Sequence, residues 1–304
     1  MEAMQKIKCL TIEDSNFPDR LRKLSGMPKK LYYIGNLPDP KKPAAAVVGA
    51  RMCSPYGRCQ AFKYARTMAS YGVQIISGMA RGIDAEGHKG ALDTDTPTFA
   101  VLGSGVDVCY PNSNRWLYQR ILEKGGGIIS ELPPGSPPVN WAFPARNRII
   151  SGLSDLVLVV EARKRSGSLV EAKEQSGSLI TANFALEHGH SVYALPGAVT
   201  EELSRGCNKL IFDGAGIAYS PEIMLMEWGI EAKNRPQNVE KKKLGLAPDL
   251  DLVYSGLDLR PENLDNLIRK TGFSASKVCA LLTELQLMGL VGETGRQYYR
   301  ISGG

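Results

Sequence analysis

The sequence predicts an α/β protein in which helices cover both faces of a mostly parallel sheet, followed by a small helical domain that ends in a β-hairpin. Short apolar runs alternate with helical patterns between residues 44 and 220, a polar stretch then interrupts them, and helical spacing resumes afterwards. These three observations predict a lead-in segment at residues 1–43, a Rossmann-like domain at 44–228, a linker at 229–248 and a winged-helix domain at 249–304.

The short apolar runs are the predicted strands. They are Ala44–Gly49, Val73–Gly78, Thr98–Gly103, Gly127–Leu132, Leu156–Ala162, Ser191–Pro196 and Ile217–Ser220. Amphipathic stretches between them predict helices, including Tyr56–Ser70, Asn114–Lys124 and Ile180–Glu187. The preceding stretch, Thr11–Leu37, is too short to be a domain, and we expect an extended lead-in with one short helix near Pro18–Leu24.

The C-terminal part begins after a polar linker that contains three consecutive lysines, Lys241 to Lys243. Helical spacing follows at Leu250–Gly256, Asn263–Lys270 and Ser276–Met288, and Gly289–Ile301 reads as two short strands around Glu293–Gly295. Three helices and a hairpin predict a winged helix. Its second paired helix carries the single basic residue Lys277, so a protein-docking role is favoured over reading of a DNA groove.

Composition narrows the functional classes. The longest apolar runs are too short to cross a bilayer and the N-terminus lacks the apolar core of a secretion signal, so we expect a cytoplasmic protein without membrane contact. Six cysteines without a Cys-x-x-Cys pair, and three histidines, argue against disulfide frameworks and zinc sites. The net charge of +6 suits a polyanionic partner but also fits many enzymes.

The loops after the predicted strands share an anion-binding character. The first strand leads into Gly49-Ala50-Arg51, the second into a loop with Gly78 and Arg81, and the third into Gly103-Ser104-Gly105. Glycine lets backbone amides approach an oxyanion, and arginine can hold a phosphate with two hydrogen bonds. Small residues also serve tight strand-to-helix turns. Several such loops at one edge nevertheless favour a ligand with several phosphates.

Neither a nucleotide cofactor nor catalysis is indicated. The first loop lacks the Gly-x-Gly-x-x-Gly pattern of dinucleotide sites, and no P-loop occurs. The acidic residues near the loops, Asp84, Asp107, Glu131 and Glu161, occur singly and without metal-ligand spacing. His88 could act as a base, but a lone histidine beside Lys89 is more typical of a surface position. We therefore expect no cofactor, no metal and no catalytic residue.

The segment Phe143–Gly152 mixes an aromatic residue, two arginines and an amide. Such a mixture suits single-stranded nucleic acid, because bases stack on aromatic or guanidinium faces while arginines neutralise phosphates. The alternative is structural, with Phe143 in the core and Arg146 and Arg148 in ion pairs.

Taken together, the motifs resemble those of the DprA/Smf family of DNA-processing proteins, and the resemblance covers nearly the whole chain. The segments that carry it are Val48–Arg51 with Ser54–Gly57, Ser77–Asp84, Val101–Asp107, Phe143–Arg148, Ser176–Ala182 and, in the lead-in, Phe17-Pro18 and Leu31–Asn36. The resemblance implies a homodimeric protein that is not an enzyme, binds single-stranded DNA and helps to load the recombinase RecA during natural transformation.

The resemblance also implies that DNA lies along the loops. The predicted DNA-binding residues are Arg51, Ser54, Gly78, Arg81, Phe143, Arg146, Asn147, Arg148, Ser176, Gly177 and Ser178. Two alternatives remain open. One is a Rossmann-like hydrolase acting on nucleotides, although its usual Pro-Gly-Gly-x-Gly-Thr loop is missing. The other is a dinucleotide-sensing transcription regulator that binds duplex DNA through the winged helix.

One departure from the family pattern is a tandem duplication. Residues 160–169 are followed at once by 170–179, a second decapeptide that repeats most of the same residues. We expect Val160–Ala162 to finish the strand, Ser176–Ser178 to cap the next helix, and the residues between them to bulge outward with Arg163, Lys164, Arg165 and Lys173. Whether this bulge strengthens or blocks DNA binding is left open.

Overall fold

The computed structural model describes residues 6–163, 176–230, 246–257, 262–295 and 298–301. The chain divides into two compact units, Met1–Pro236 and Gln237–Gly304. The interior of the predicted linker and most of the duplicated segment, with Lys164, Arg165 and Lys173, lie outside the described residues.

The first unit is built on a mixed, mostly parallel sheet. Its strands are β1 (Lys8–Thr11), β2 (Lys30–Gly35), β3 (Ala44–Val48), β4 (Gln74–Ser77), β5 (Thr98–Val101), β6 (Gly127–Ser130), β7 (Leu156–Val159), β8 (Ser191–Ala194) and β9 (Gly216–Ile217). They are arranged in the order β1-β2-β6-β5-β4-β3-β7-β8-β9. The pairs β1/β2 and β2/β6 are antiparallel and the others are parallel. The predicted fold class is confirmed.

The lead-in segment differs from the expectation. It contributes two strands to the edge of the sheet, with Lys8 opposite Tyr33 and Leu10 opposite Leu31. Its apolar residues reach both faces, since Leu31 packs with the core that contains α5 residues and Ile34 with the core that contains α4 residues. These antiparallel strands were missed because β2 shows no alternation of polar and apolar residues, and its partner β1 is only four residues long.

Helices cover both faces of this sheet. They are α1 (Asp19–Arg22), α2 (Pro55–Ser70), α3 (Ile83–Leu92), α4 (Arg115–Glu123), α5 (Ala142–Leu153), α6 (Gly177–Glu187), α7 (Glu202–Phe212) and α8 (Pro221–Glu227). Side chains of β3 alternate between the two layers: Ala44, Ala46 and Val48 pack with α1, α5, α6 and α7, whereas Ala45 and Val47 face α2, α3 and α8. The five residues of β3 are all buried, as expected for a central strand covered on both faces.

The second unit has the predicted winged-helix elements. Its helices are α9 (Pro248–Ser255), α10 (Leu264–Thr271) and α11 (Ala275–Leu287), and its strands are β10 (Glu262–Asn263), β11 (Val291–Gly295) and β12 (Tyr298–Ile301). The strands form an antiparallel sheet in the order β10-β12-β11. The two strands predicted around Glu293–Gly295 are present, and Glu293 and Gly295 themselves lie in β11, where its pairing with β12 is irregular. Among the described residues, no helix is long and apolar enough to span a membrane.

Candidate nucleic-acid interface

A pocket of about 560 Å³ opens at the carboxyl ends of β3 and β7. These strands are neighbours at the centre of the sheet, and the chain continues outward from them in opposite directions. Ligands of doubly wound sheets bind at such a reversal of strand order. Among the predicted residues, those that line the pocket are Arg51, Phe143, Arg146, Asn147, Ser176, Gly177 and Ser178.

Arg51 is an exposed cation of the pocket. Its guanidinium carbon lies 5.2 Å from the centre of the Phe143 ring. Within the described part of the chain, no carboxylate forms an ion pair with this guanidinium, so its donors are available to a ligand. An arginine held against an aromatic ring keeps its planar donor fork in place, which favours two-bond recognition of a phosphate.

Arg146 is buried, lines the same pocket, and donates from Nη1 and Nε to groups within the protein. Nη1 donates to the carbonyl oxygens of Gly78, at 2.6 Å, and of Val101, while Nε donates to Asn147 at 3.2 Å. Burial lowers the pKa of Arg146 to about 10, and the nearby Asp84 opposes this shift. Arg146 therefore remains cationic at neutral pH and contributes positive potential from beneath the pocket, rather than a free donor fork.

Gly78 is a glycine because Arg146 and Asp84 approach it closely. A Cβ added there would lie 2.5 Å from Nη2 of Arg146 and 2.6 Å from Oδ2 of Asp84. The amide of Gly78 donates to Asp84 at 3.1 Å. Burial raises the pKa of Asp84, and the charge of Arg146 opposes that shift. Both backbone groups of Gly78 are thus occupied within the protein, and its contribution to the site is to leave room for the Arg146 and Asp84 side chains beside its Cα.

Ser54 caps helix α2 and holds the end of β7. Its Oγ accepts from the amide of Gly57 at 3.0 Å and donates to Glu161 at 2.5 Å, while its own amide donates to Glu161 at 2.9 Å. Burial raises the pKa of Glu161, and the hydrogen bonds from Ser54 oppose the shift. Ser54 and Glu161 are 107 residues apart in the chain, so the sequence pattern did not indicate this contact.

Helix α6 points its N-terminus into the pocket. Asn147 donates from Nδ2 to the carbonyl oxygen of Gly177 at 2.9 Å and so fixes the first turn of the helix. Ser176 occupies the N-cap position without a side-chain capping bond, and its Oγ lies 3.0 Å from Oγ of Ser178. Because the first amides of a helix have no partner inside it, Gly177 and Ser178 present N–H groups suited to an oxyanion.

The other two predicted arginines lie outside the pocket lining. Arg81 is exposed, and its Nε donates to Oγ of Ser113 at 3.3 Å. Arg148 is half-buried and forms an ion pair with Glu131. The structure therefore matches the ion-pair alternative for Arg148, while Arg81 remains accessible on the neighbouring loop.

Neither His88 nor the loop carboxylates form a catalytic cluster. The expectation that His88 is a surface residue is wrong: it is fully buried, its Nδ1 lies 2.7 Å from Oγ1 of Thr98, and burial lowers its pKa to about 3. Asp107 accepts from the amide of Gly135 at 2.8 and 3.0 Å. Over the described ranges, no group of three or more histidine, cysteine or acidic residues is arranged to hold a metal ion.

Sequence reasoning missed two residues just ahead of α5. Asn140 lines the pocket, and Trp141 is strongly exposed beside it. Both precede Phe143 by only a few residues, so extending the singled-out segment toward the N-terminus would have included them. Arg163, expected near the ligand, does line the pocket and lies 3.4 Å from Glu202.

The two copies of the duplicated decapeptide contribute to different elements on either side of the pocket. From the first copy, Ala162 is buried, donates its amide to Leu203 at 2.8 Å and accepts from Gly206 at 2.9 Å. From the second copy, Ser176 precedes α6. The expectation that Val160–Ala162 finish the strand is wrong, because β7 ends at Val159, whereas Ser176 does lie at the N-cap of the next helix as expected.

The chain matches two family models. Residues 8–172 and 169–229 match the model described as DNA recombination-mediator protein A, and residues 240–294 match the DprA winged helix domain. The two ranges of the first match overlap at 169–172, within the second decapeptide. An overlap there is what a short tandem duplication produces when a chain is aligned with a pattern that has one copy.

Known proteins give the same result. The chain is 34% identical to Protein Smf of Synechocystis sp. over 96% of this chain and 79% of that protein. It is 40% identical to the DNA processing protein DprA of Streptococcus pneumoniae, whose X-ray structure has a TM-score of 0.66 and covers 73% of this chain and 75% of that one. The DNA processing protein A of Helicobacter pylori, described for its single-stranded DNA binding mode, is 28% identical with a TM-score of 0.62, covering 75% of this chain and 98% of that one.

Proposed function

The chain belongs to the DprA/Smf family of DNA recombination-mediator proteins, and from this premise we propose that it binds single-stranded DNA at the pocket between β3 and β7. The observation that carries the proposal is the guanidinium of Arg51, which lies on the ring of Phe143, has no ion-pair partner among the described residues, and lines the same pocket as the N-terminus of α6. A phosphate donor, a stacking surface and a helix dipole in one pocket suit a strand whose bases are unpaired.

The proposed contacts fall into two groups. Arg51, Arg81 and the first amides of α6, at Gly177 and Ser178, contact phosphates. Phe143 supports the bases. The remaining predicted residues, Ser54, Gly78, Arg146, Asn147, Arg148 and Ser176, act by holding these groups in place.

A mobility-shift experiment tests the proposal. Single-stranded and duplex oligonucleotides of random sequence are compared across a salt series. We expect binding to the single strand that weakens steeply with salt, because phosphate contacts release counterions. Preference for a duplex of one sequence would instead favour the transcription-regulator alternative.

We further propose that binding leaves the DNA chemically unchanged. Asp84, which lines the pocket, accepts from the amide of Gly78, and Glu161, outside the lining, accepts from Ser54, so both carboxylates are engaged in holding loops. A nucleotide hydrolase would need a carboxylate or metal free to activate water. Incubating the protein with nucleoside monophosphates and with labelled single strands tests this, and release of free base or shortened strands would contradict it.

The proposed assembly is a homodimer formed at the β9 edge of the sheet. Phe212 and Tyr219 are 84% and 78% exposed on either side of this edge strand, and Ile217 on β9 is also exposed. Open edges and contiguous apolar patches are usually covered by a partner, and a second copy covers both at once. Light scattering should give twice the monomer mass, and Ile217→Lys should give the monomer. A monomeric unaltered protein would contradict this assembly.

The proposed role of the complex is to load RecA on single strands during natural transformation. The family's description as a recombination mediator supports this role. The test measures ATP hydrolysis by RecA on strands already covered by a single-strand binding protein, with and without this protein. We expect a shorter lag before hydrolysis, and an unchanged lag would contradict the loading role.

A further inference from the structure

An exposed tyrosine, Tyr110, lies beside the pocket and adds a third planar side chain to those of Arg51 and Phe143. The ring of Tyr110 is centred 5.4 Å from the ring of Phe143, tilted by 33°, and the residue is 43% exposed. The guanidinium of Arg51 contacts the same phenylalanine. Arg51, Phe143 and Tyr110 therefore form a contiguous row of planar groups, and the half-buried Phe143 contacts both of the others.

The loop that carries Tyr110 is pinned at several points. Oγ of Ser104 donates to the carbonyl of Val108 at 2.8 Å, and Asp107 accepts from Gly135 on the neighbouring loop. Phe143 is fixed as well, because a Cβ on Gly103 would lie only 2.8 Å from its ring. Tyr110 is thus presented in a fixed position relative to Phe143, which lowers the entropy lost when a flat group stacks on it.

Exposure indicates which members of the row meet a ligand. Arg51 and Tyr110 are the exposed members, whereas Phe143 lies partly beneath them. Arg51 supplies the donors for a phosphate, so the adjacent Tyr110 face is left for the base. A base within a duplex is already stacked on both sides and cannot use that face, whereas an unpaired base can.

We propose that Tyr110 is a base-stacking residue that extends the site beyond the pocket and selects unpaired bases, with Phe143 positioning both Tyr110 and Arg51. This inference rests on the proposed single-stranded DNA binding and names a contact that the family motifs did not indicate. It requires one unpaired base to stack on Tyr110 next to the phosphate bound by Arg51.

Two single strands of DNA of equal length test the inference, one of thymidines and one of abasic deoxyribose phosphates. The affinity for each strand is measured with the unaltered full-length protein and with the variants Tyr110→Ala, Tyr110→Leu and Tyr110→Phe. On the thymidine strand we expect about a tenfold loss of affinity for Ala and Leu and almost none for Phe, since only Phe retains a π-face. On the abasic strand all four proteins should bind equally, and the salt dependence should not change.

The possible results separate the contact from the function. Equal binding of the thymidine strand by Tyr110→Ala and the unaltered protein would overturn the stacking role. An equal loss on both strands would also overturn it, because Tyr110 would then act only by supporting Arg51. If the unaltered protein bound neither strand, the proposed function itself would fail. Thermal unfolding of each variant checks that the loop remains folded.

Discussion

Arg51 at the pocket and Lys277 on α11 each lie over a phenylalanine ring, but among the described residues only Lys277 is also held in an ion pair. At the pocket, Arg51 lies 5.2 Å from the ring of Phe143 and has no ion-pair partner among the described residues. On α11, Nζ of Lys277 lies 3.9 Å from the ring of Phe273 and 2.7 Å from Oδ2 of Asp249. We therefore expect the availability of a charge, rather than its presence, to distinguish the proposed DNA-binding pocket from the winged helix.

The difference also bears on the role of the winged helix. Apart from Lys277, the exposed residues of α11 are neutral or acidic, including Ser276, Thr283, Glu284 and Leu287. A helix that enters a DNA groove needs free donors for phosphates and base edges. With Lys277 neutralised by Asp249, the helix presents none from its basic side chains. Protein docking remains our prediction for this unit.

The largest expected effect concerns the buried arginine beneath the free one. Arg146→Met leaves the carbonyls of Gly78 and Val101 and the carboxylate of Asp84 without their cation, so we expect a loss of about 3 to 5 kcal/mol in unfolding free energy. Arg51→Met, the matched control, should change it by less than about 0.5 kcal/mol. Urea unfolding measures both, and equal stabilities would contradict the division between a supporting and a free arginine.

The second effect is on binding. Arg51→Ala should weaken binding to all single-stranded sequences alike, by about tenfold, and lower the slope of log affinity against log salt by about one, because one phosphate contact is lost. Lys277→Ala is the control and should leave both quantities unchanged. An unaltered slope in Arg51→Ala would remove this residue from the site.

A third effect tests whether the buried side chain of His88 stays neutral in the folded protein. Burial, with Arg146 adding to the effect, lowers the pKa of His88 to about 3, below its unfolded value of about 6.5. Below about pH 6.5 the unfolded chain takes up a proton that the folded protein does not, so stability is lost as pH falls toward 3. Between about pH 7 and 5.5, His88→Met should lose about 1 kcal/mol less than the unaltered protein. Urea unfolding at both pH values measures this, and parallel losses would contradict a neutral buried His88.

The sequence predicted most of the sheet because its central strands are continuous apolar runs. Helix α3 contains Gly87 and Gly90, which have low helical propensity, and this helix depends on close packing with α2. Tertiary packing therefore overrode local preference, as it did for the two lead-in strands.

The same limit applies to the site. Arg51 and Arg146 both appear in motifs typical of phosphate binding, and the sequence gives no reason to separate them. Their roles differ because strands β4 and β5 direct two carbonyl oxygens at Arg146, a contact made across 68 and 45 residues of chain. Tyr110 was missed for a related reason, since only the fold brings its ring to Phe143.

A smaller effect is expected at the β7 side of the pocket, where the duplicated decapeptide adds residues between β7 and α6. Deleting Ser166–Gln175 leaves a single decapeptide, which still contains Ala162, held by backbone hydrogen bonds, and Ser176, the N-cap of α6. Shortening a surface connection changes closure entropy by only about 1 kcal/mol, so we expect a folded protein with a similar melting temperature. A clear drop in that temperature would contradict the assignment of the two copies. Affinity for single strands, measured on the same variant, then reveals whether the extra residues strengthen or obstruct binding.

The smallest effect tests whether the winged helix would bind DNA if Lys277 were released from its ion pair with Asp249. Asp249→Ala releases Lys277 from its ion pair, and a surface pair of this kind contributes up to about 1 kcal/mol. We expect at most a few-fold gain in binding to random duplex DNA, with binding to single strands unchanged. Asp251→Ala, an equal change of charge on the same helix, should give less than half of that gain, because its effect on Lys277 is indirect. If the unaltered protein already bound one duplex sequence tightly, and Lys277→Ala abolished that binding, the winged helix would be a DNA reader despite its ion pair.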